Sequence, residues 1–226
     1  MDGKEITDAL SNVKDSYFNK DLITLGYIKG MSIGDKELRF TLKLPAPLMP
    51  NHEELAQKCR EALKDVEGLE TIEIKKDWEV QRLPSLDAPN TPQALRNVKN
   101  IIAIASGKGG VGKSTVASNI ACGLKKKGLS VGPLDLDIYG PSLPIILGLN
   151  QKPDMTEKNR LIPLDRYGMK VMSFGFISGN QSPTIWRGPL VARMTEQFFY
   201  DVVWGELDYL ISVSYTHLTL PTSDLV

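Results

Sequence analysis

Apolar and polar residues alternate strictly along Glu37–Leu44, ELRFTLKL: Leu38, Phe40, Leu42 and Leu44 share one face, Arg39, Thr41 and Lys43 the other. A period of two predicts a half-buried strand. Gly34-Asp35 just ahead predicts a turn from an earlier strand near 27–33. Upstream, Ile6, Leu10, Val13 and Tyr17 recur at helical spacing, predicting a helix over 4–17. Downstream, Asn51 is a candidate cap for a helix presenting Leu55, Cys59, Ala62, Leu63 and Val66 on one face, with Gly68 past its end. A short strand near 69–75 would complete a small α+β domain, residues 1–82.

The pattern then changes. Leu83–Asn97, LPSLDAPNTPQALRN, carries three prolines and no apolar period, which predicts an extended linker or wrapped arm over 83–98. Ile101–Ala105 is a fully apolar strand followed by a glycine-rich loop. Val116, Ala117, Ile120, Ala121 and Leu124 then mark one face of a helix. Lys125–Lys127 fall in its last turn, where cations suit the negative end of the dipole, and Gly128 stands past it. Ser130–Leu134 is a second apolar strand ending at Asp135. Strand, loop, helix, strand is a βαβ unit, so the expected fold class is α/β, with a parallel sheet over 99–211 preceded by the smaller α+β domain. Near the end of this span Pro189 suits a first helical turn, and Leu190, Met194, Phe198 and Val202 form its core face.

Composition narrows the class little. The chain has 226 residues, 42% hydrophobic and 24% charged, with a formal net charge of zero. That balance predicts no general attraction to nucleic acid or to an anionic membrane. No apolar run approaches the roughly 18 residues of a membrane span, and the start, MDGKEITDAL, lacks the apolar core of a secretion signal. A cytoplasmic chain with neither nucleic-acid nor membrane partner is expected. The two cysteines, Cys59 and Cys122, both sit on predicted apolar helix faces and are expected to be buried free thiols.

The chemistry concentrates in Ser106–Thr115, SGKGGVGKST. Gly107-x4-Gly112-Lys113-Ser114 satisfies the phosphate-loop pattern between an apolar strand and an amphipathic helix. Glycines let successive backbone N–H groups converge on phosphate oxygens, and the following helix adds its positive dipole end. The cradle would be Gly107, Lys108, Gly109, Gly110, Val111, Gly112, Lys113, Ser114 and Thr115. Lys113 would neutralise β- and γ-phosphate charge as a catalytic cation, and the Ser114 hydroxyl would ligate Mg2+. Asp135-Leu136-Asp137 closes the second strand, where carboxylates can face metal and water or simply be solvated. Lys108 is not needed to hold one nucleotide. On the residues alone it is either a solvated loop lysine or a cation for something else.

KGGVGKST resembles the deviant phosphate loop of a class of dimeric ATPases, and DLDIYGPSLP (Asp135–Pro144) and IWRGPL (Ile185–Leu190) resemble its Mrp/ApbC-type iron–sulfur cluster carriers. The resemblance covers about residues 4–211, and the first domain resembles the iron–sulfur-assembly module of bacterial carriers. It implies a homodimeric P-loop ATPase using ATP and Mg2+, which binds an Fe–S cluster and passes it to apo iron–sulfur proteins with assembly factors as further partners. In that class the early lysine, here Lys108, reaches the partner's nucleotide in trans. The first aspartate, Asp135, supports the metal shell, and the second, Asp137, positions the attacking water. Tyr139-Gly140-Pro141-Ser142 would continue that switch as a turn. A partition- or septum-type ATPase that binds membrane or DNA is the alternative in the same class.

The match stops after Ile211. The family continues with a strand ending in aspartate, a second switch and a Cys-x-x-Cys pair that holds a cluster between subunits, whereas this chain reads SVSYTHLTLPTSDLV. SYTHLTLPTS resembles translated adaptor sequence, so 212–226 is expected to be a non-native tail. The chain is accordingly expected to lack the cluster-binding half, to leave its sheet incomplete and to have lost hydrolysis.

Overall fold

The computed structural model describes residues 2–47, 49–138, 140–178 and 188–214, backbone alone at 178 and 188–193. The chain divides into two units, Met1–Gln81 and Arg82–Val226. In the first, helix α1 (Gly3–Ser11) is capped by Asp2, whose carboxylate accepts the Lys4 N–H at 3.0 Å. It is followed by strand β1 (Ile28–Ile33), strand β2 (Glu37–Leu44), helix α2 (His52–Ala62) and strand β3 (Thr71–Trp78). β1 pairs antiparallel and β3 parallel with the central β2. The strict alternation of β2 is fully realised, since Leu38, Phe40, Leu42 and Leu44 are buried against Ile6, Leu10, Leu55, Cys59 and Leu63.

Two local expectations fail here for one reason. The helix stops at Ser11 rather than Tyr17, and Tyr17 is 60% exposed. Asn51 stands at the α2 N-cap yet makes no side-chain cap bond. Both residues are governed by Asp15, which is fully buried. One carboxylate oxygen accepts the N–H groups of Tyr17 and Phe18 at 2.8 and 2.9 Å, turning the chain out of the helix, and the other accepts the Asn51 amide at 2.9 Å. An Asx side chain offers the backbone an alternative to helical bonding, and a long-range partner outbids a local cap.

In the second unit, the proline-bearing segment forms two short 3-10 turns, Pro84–Asp87 and Gln93–Leu95, and buries Ala94 and Leu95. The Arg82 guanidinium ties its start by donating to Asp87 and to the carbonyls of Leu86 and Val98, each at 2.6 Å. The sheet is built from strand β4 (Val98–Ile104), helix α3 (Lys113–Lys126), strand β5 (Val131–Asp135), helix α4 (Leu143–Leu147), strand β6 (Leu164–Arg166), strand β7 (Met169–Ser173), helices α5 (Phe174–Ser178) and α6 (Gly188–Tyr200), and strand β8 (Leu207–Val213). Strand order is β4-β8-β5-β7-β6, parallel throughout except for β6. β8 runs past Ile211 through Ser212 and Val213, pairing Val213 with both Ile104 and Asp135.

α3 buries only part of its predicted stripe. Ala117 and Ala121 are fully buried against the sheet, whereas Val116 is 50% and Ile120 36% exposed. The small residues face the strands because close helix–sheet packing needs them there, and the branched ones lie to the side. Cys122 is only half-buried, correcting the expectation of two buried thiols. Cys59 is fully buried, and burial pushes its thiol up to about 12.

At the other end of the sheet, Trp204 is fully buried, its indole N–H donating to the Phe198 carbonyl at 3.3 Å. Phe198 packs edge-on to Phe174 with ring centroids 4.6 Å apart. A Cβ at Gly132 would stand 3.1 Å from the Trp204 ring, so the strand and ring approach as closely as glycine allows. Trp204→Ala is expected to destabilise this unit by about 3–5 kcal/mol, read from a denaturant titration. Among the described residues no helix is long and apolar enough to cross a membrane. Tyr139, Ile185–Arg187 and most of the expected tail, residues 215–226, lie outside the described residues.

Candidate functional site

Parallel register brings three strand ends to one edge. Ile104 pairs with Val213, and Val213 with Asp135, so β4, β8 and β5 finish side by side. Asp135 therefore stands two strands, or about 10 Å, from the strand that feeds the glycine loop. Ligands of α/β sheets bind beyond the carboxyl ends of the strands, and that is where the loop lies.

The loop requires its glycines at two positions. Gly110 has φ +71° and Gly112 φ +91°, a left-handed region where other residues are strained. A Cβ at Gly107, Gly109, Gly110 or Gly112 would meet nothing within 4 Å, so these glycines face open space rather than packed protein. The Ser106 hydroxyl donates to the Lys108 carbonyl at 2.8 Å and pins the loop's entry. Gly112 stands at the N-cap of the 14-residue α3 and has no side chain with which to cap its first N–H groups. Those groups and the dipole fit an anionic phosphate tail. Lys113, at the first helical position, is only 9% exposed, whereas Lys108 is exposed beside the exposed Val111.

The acids occupy different environments. Asp135 is fully buried, and its oxygens accept three backbone N–H groups: Asp137 at 3.0 Å, Ser142 at 2.9 Å and Leu143 at 3.0 Å. Asp137 is half-buried and accepts the Gly140 N–H at 3.1 Å. Asp135 is thus the brace that shapes the turn carrying Asp137. Burial outweighs its hydrogen bonds and raises the carboxyl to about 6. A carboxyl raised on folding binds its proton more tightly in the folded chain, so stability falls as pH rises from about 4 to about 6, by up to about 3 kcal/mol. Asp135→Asn is expected to flatten that part of the pH–stability profile, measured by thermal unfolding.

Sequence reasoning places Ser142 in a turn and misses its partner. Its N–H donates to Asp135, and its hydroxyl lies 2.7 Å from the Ser114 hydroxyl, joining the two residues predicted to serve a metal. A reading of 139–142 as a turn carries no signal that marks the contact. A hydroxyl and two carboxylates are hard oxygen donors of the kind Mg2+ takes. The residues present therefore fit a magnesium ion held by Ser114 with Asp135 and Asp137 behind it. Among the described residues no group of three or more His, Cys, Asp or Glu could hold a metal by itself, so a phosphate or water oxygen would have to complete the shell.

Residues 97–213 match the family described as NUBPL iron-transfer P-loop NTPase, and residues 4–75 match the iron–sulfur cluster assembly protein family. The chain is 42% identical over 210 residues to an iron–sulfur cluster carrier protein of Synechocystis, covering 91% of this chain and 59% of that protein. It is 33% identical over 208 residues to the carrier protein of Escherichia coli, covering 91% and 55%. It is 50% identical over 123 residues to the iron–sulfur cluster transfer protein NUBPL of Dictyostelium discoideum, covering 54% and 38%. A solved nucleotide-binding protein of Archaeoglobus fulgidus in complex with ADP is 40% identical, with a TM-score of 0.45 over 53% of this chain and 46% of that one. The chain spans little more than half the length of the curated carriers it matches. With strand, glycine loop, helix and Asp135 brought to the carboxyl edge of the sheet, and more than half its residues matched, the chain belongs to the NUBPL iron-transfer P-loop NTPase family.

Proposed function

We propose that the intact protein is an ATP-hydrolysing carrier that binds an iron–sulfur cluster and delivers it to apo iron–sulfur proteins. The observation that carries this reading is the open glycine cradle at the carboxyl edge of the sheet, in one chain with a module matching iron–sulfur cluster assembly proteins. Backbone N–H groups of 107–115 bind and orient the triphosphate. Lys113 neutralises it from a nearly buried position, where its charge is screened least by water. Mg2+ at Ser114 would supply charge neutralisation between phosphates. Asp135 braces the turn that carries Asp137, and Asp137 orients the attacking water. Lys108, exposed at the loop's outer side, is the cation donated to a second copy's nucleotide, which makes the working form a homodimer.

The cluster is cargo, and this chain's cysteines do not offer it a ligand pair. Thiolates are what clusters require. Cys59 is buried with its thiol raised to about 12, and Cys122 stands alone on α3 in the other unit. The test is transfer from cluster-loaded intact protein to an apo iron–sulfur protein, with and without ATP and Mg2+. Nucleotide-dependent transfer is the expected outcome. A loaded protein that transfers nothing, or one that takes up no cluster, overturns the reading.

A further inference from the structure

Ser142 holds an unusual post for a helix N-cap. Serine there ordinarily turns its hydroxyl back to accept a backbone N–H two or three residues on. Ser142 precedes α4 and makes no such bond. The Asp135 carboxylate takes the N–H groups of Ser142 and Leu143 instead, and the Ser142 hydroxyl turns across to Ser114 on α3, 2.7 Å away. The helix start is thus satisfied by another residue, and the hydroxyl is left for the neighbouring element.

From this geometry we infer that Ser142 is a positioning residue for magnesium: its hydroxyl orients Ser114 so that a lone pair of Ser114 faces the cation. The inference rests on the proposed function, because it assigns a residue behind the metal that function requires. A serine hydroxyl has one hydrogen and two lone pairs, and it rotates to suit its partners. As the chain stands, Ser142 donates to Ser114. Once a cation takes a Ser114 lone pair, the Ser114 hydrogen becomes a stronger donor and needs an acceptor on its other side. Ser142 Oγ is an acceptor within reach at 2.7 Å, and reversing the bond moves only two hydrogens. Side chains behind a metal ligand fix its orientation in this manner, and losing one typically weakens metal binding by about 10- to 100-fold. Because Ser142 is tied to Asp135 through its backbone N–H, replacing the side chain removes the hydroxyl and leaves the brace intact.

The test uses a non-hydrolysable ATP analogue, adenylyl imidodiphosphate, in EDTA and across a Mg2+ titration. For Ser142→Ala, affinity in EDTA should stay within about twofold of wild type, while the Mg2+ concentration giving half the magnesium-dependent gain should rise about 10-fold. Ser142→Thr, which restores a hydroxyl, should return that midpoint to within about threefold of wild type. Adding Ser142→Ala to Ser114→Ala should have no further effect, since the acceptor has nothing left to orient. An unchanged magnesium midpoint in Ser142→Ala overturns the inference alone. So does an equal loss in EDTA and in Mg2+, which would mark a loop or folding defect. Wild-type protein that ignores the analogue with and without magnesium overturns the proposed function, and this inference with it.

Discussion

Lys113→Met should abolish useful ATP affinity while leaving the fold intact. Lys113 is 9% exposed and stands at the first position of α3, directly after the loop whose glycines face open space. Methionine keeps the length and the apolar stem packing and deletes the charge. Removing one partner of a buried, hydrogen-bonded charge pair costs about 2–5 kcal/mol, or about 30- to 5,000-fold in Kd. The variant should therefore bind ATP at least about 30-fold more weakly in calorimetric titration, with a cooperative unfolding transition retained. An unchanged Kd would show that the lysine serves the fold and not a phosphate.

Lys108→Ala should have the opposite profile in the intact protein: ATP Kd unchanged within about threefold, turnover reduced by about 10³-fold or more. The argument is positional. Lys108 is exposed, and its carbonyl is held by the Ser106 hydroxyl. A cation placed there adds nothing to ground-state binding in its own copy. Brought to a partner's nucleotide, it meets charge that develops on transferring phosphoryl oxygens, as an arginine supplied in trans does. Steady-state hydrolysis across a protein dilution series separates the two readings. Specific activity should fall on dilution for wild type, and in the variant it should be low at every concentration. Full turnover in Lys108→Ala would leave the residue as a solvated loop lysine.

What was legible in the sequence was what depends on local period and on backbone chemistry. β2 announced itself because one face of an exposed sheet must be buried, and ELRFTLKL admits only one register. The cradle was legible because glycines at left-handed positions and a lysine heading a helix leave a fixed spacing in the chain. What depends on distant partners was not. Tyr17 kept the helical period but is turned out by Asp15, whose carboxylate is in turn engaged by Asn51, 36 residues away. Val116 and Ile120 joined a stripe by spacing, yet they stay exposed while Ala117 and Ala121 are fully buried. Ser142 was read only as part of a switch turn, and its bond with Ser114 spans 28 residues. The roles proposed for Lys108 and Asp137 rest on resemblance, which suggests chemistry that no period encodes.

Direct titration of the purified chain with ATP in the presence and absence of Mg2+ tests the account where it is most exposed. Saturable binding at one site per chain, tightened by magnesium and lost in Lys113→Met, is the result the open cradle and its nearly buried lysine predict. Folded chain that takes up no ATP in either condition would contradict it.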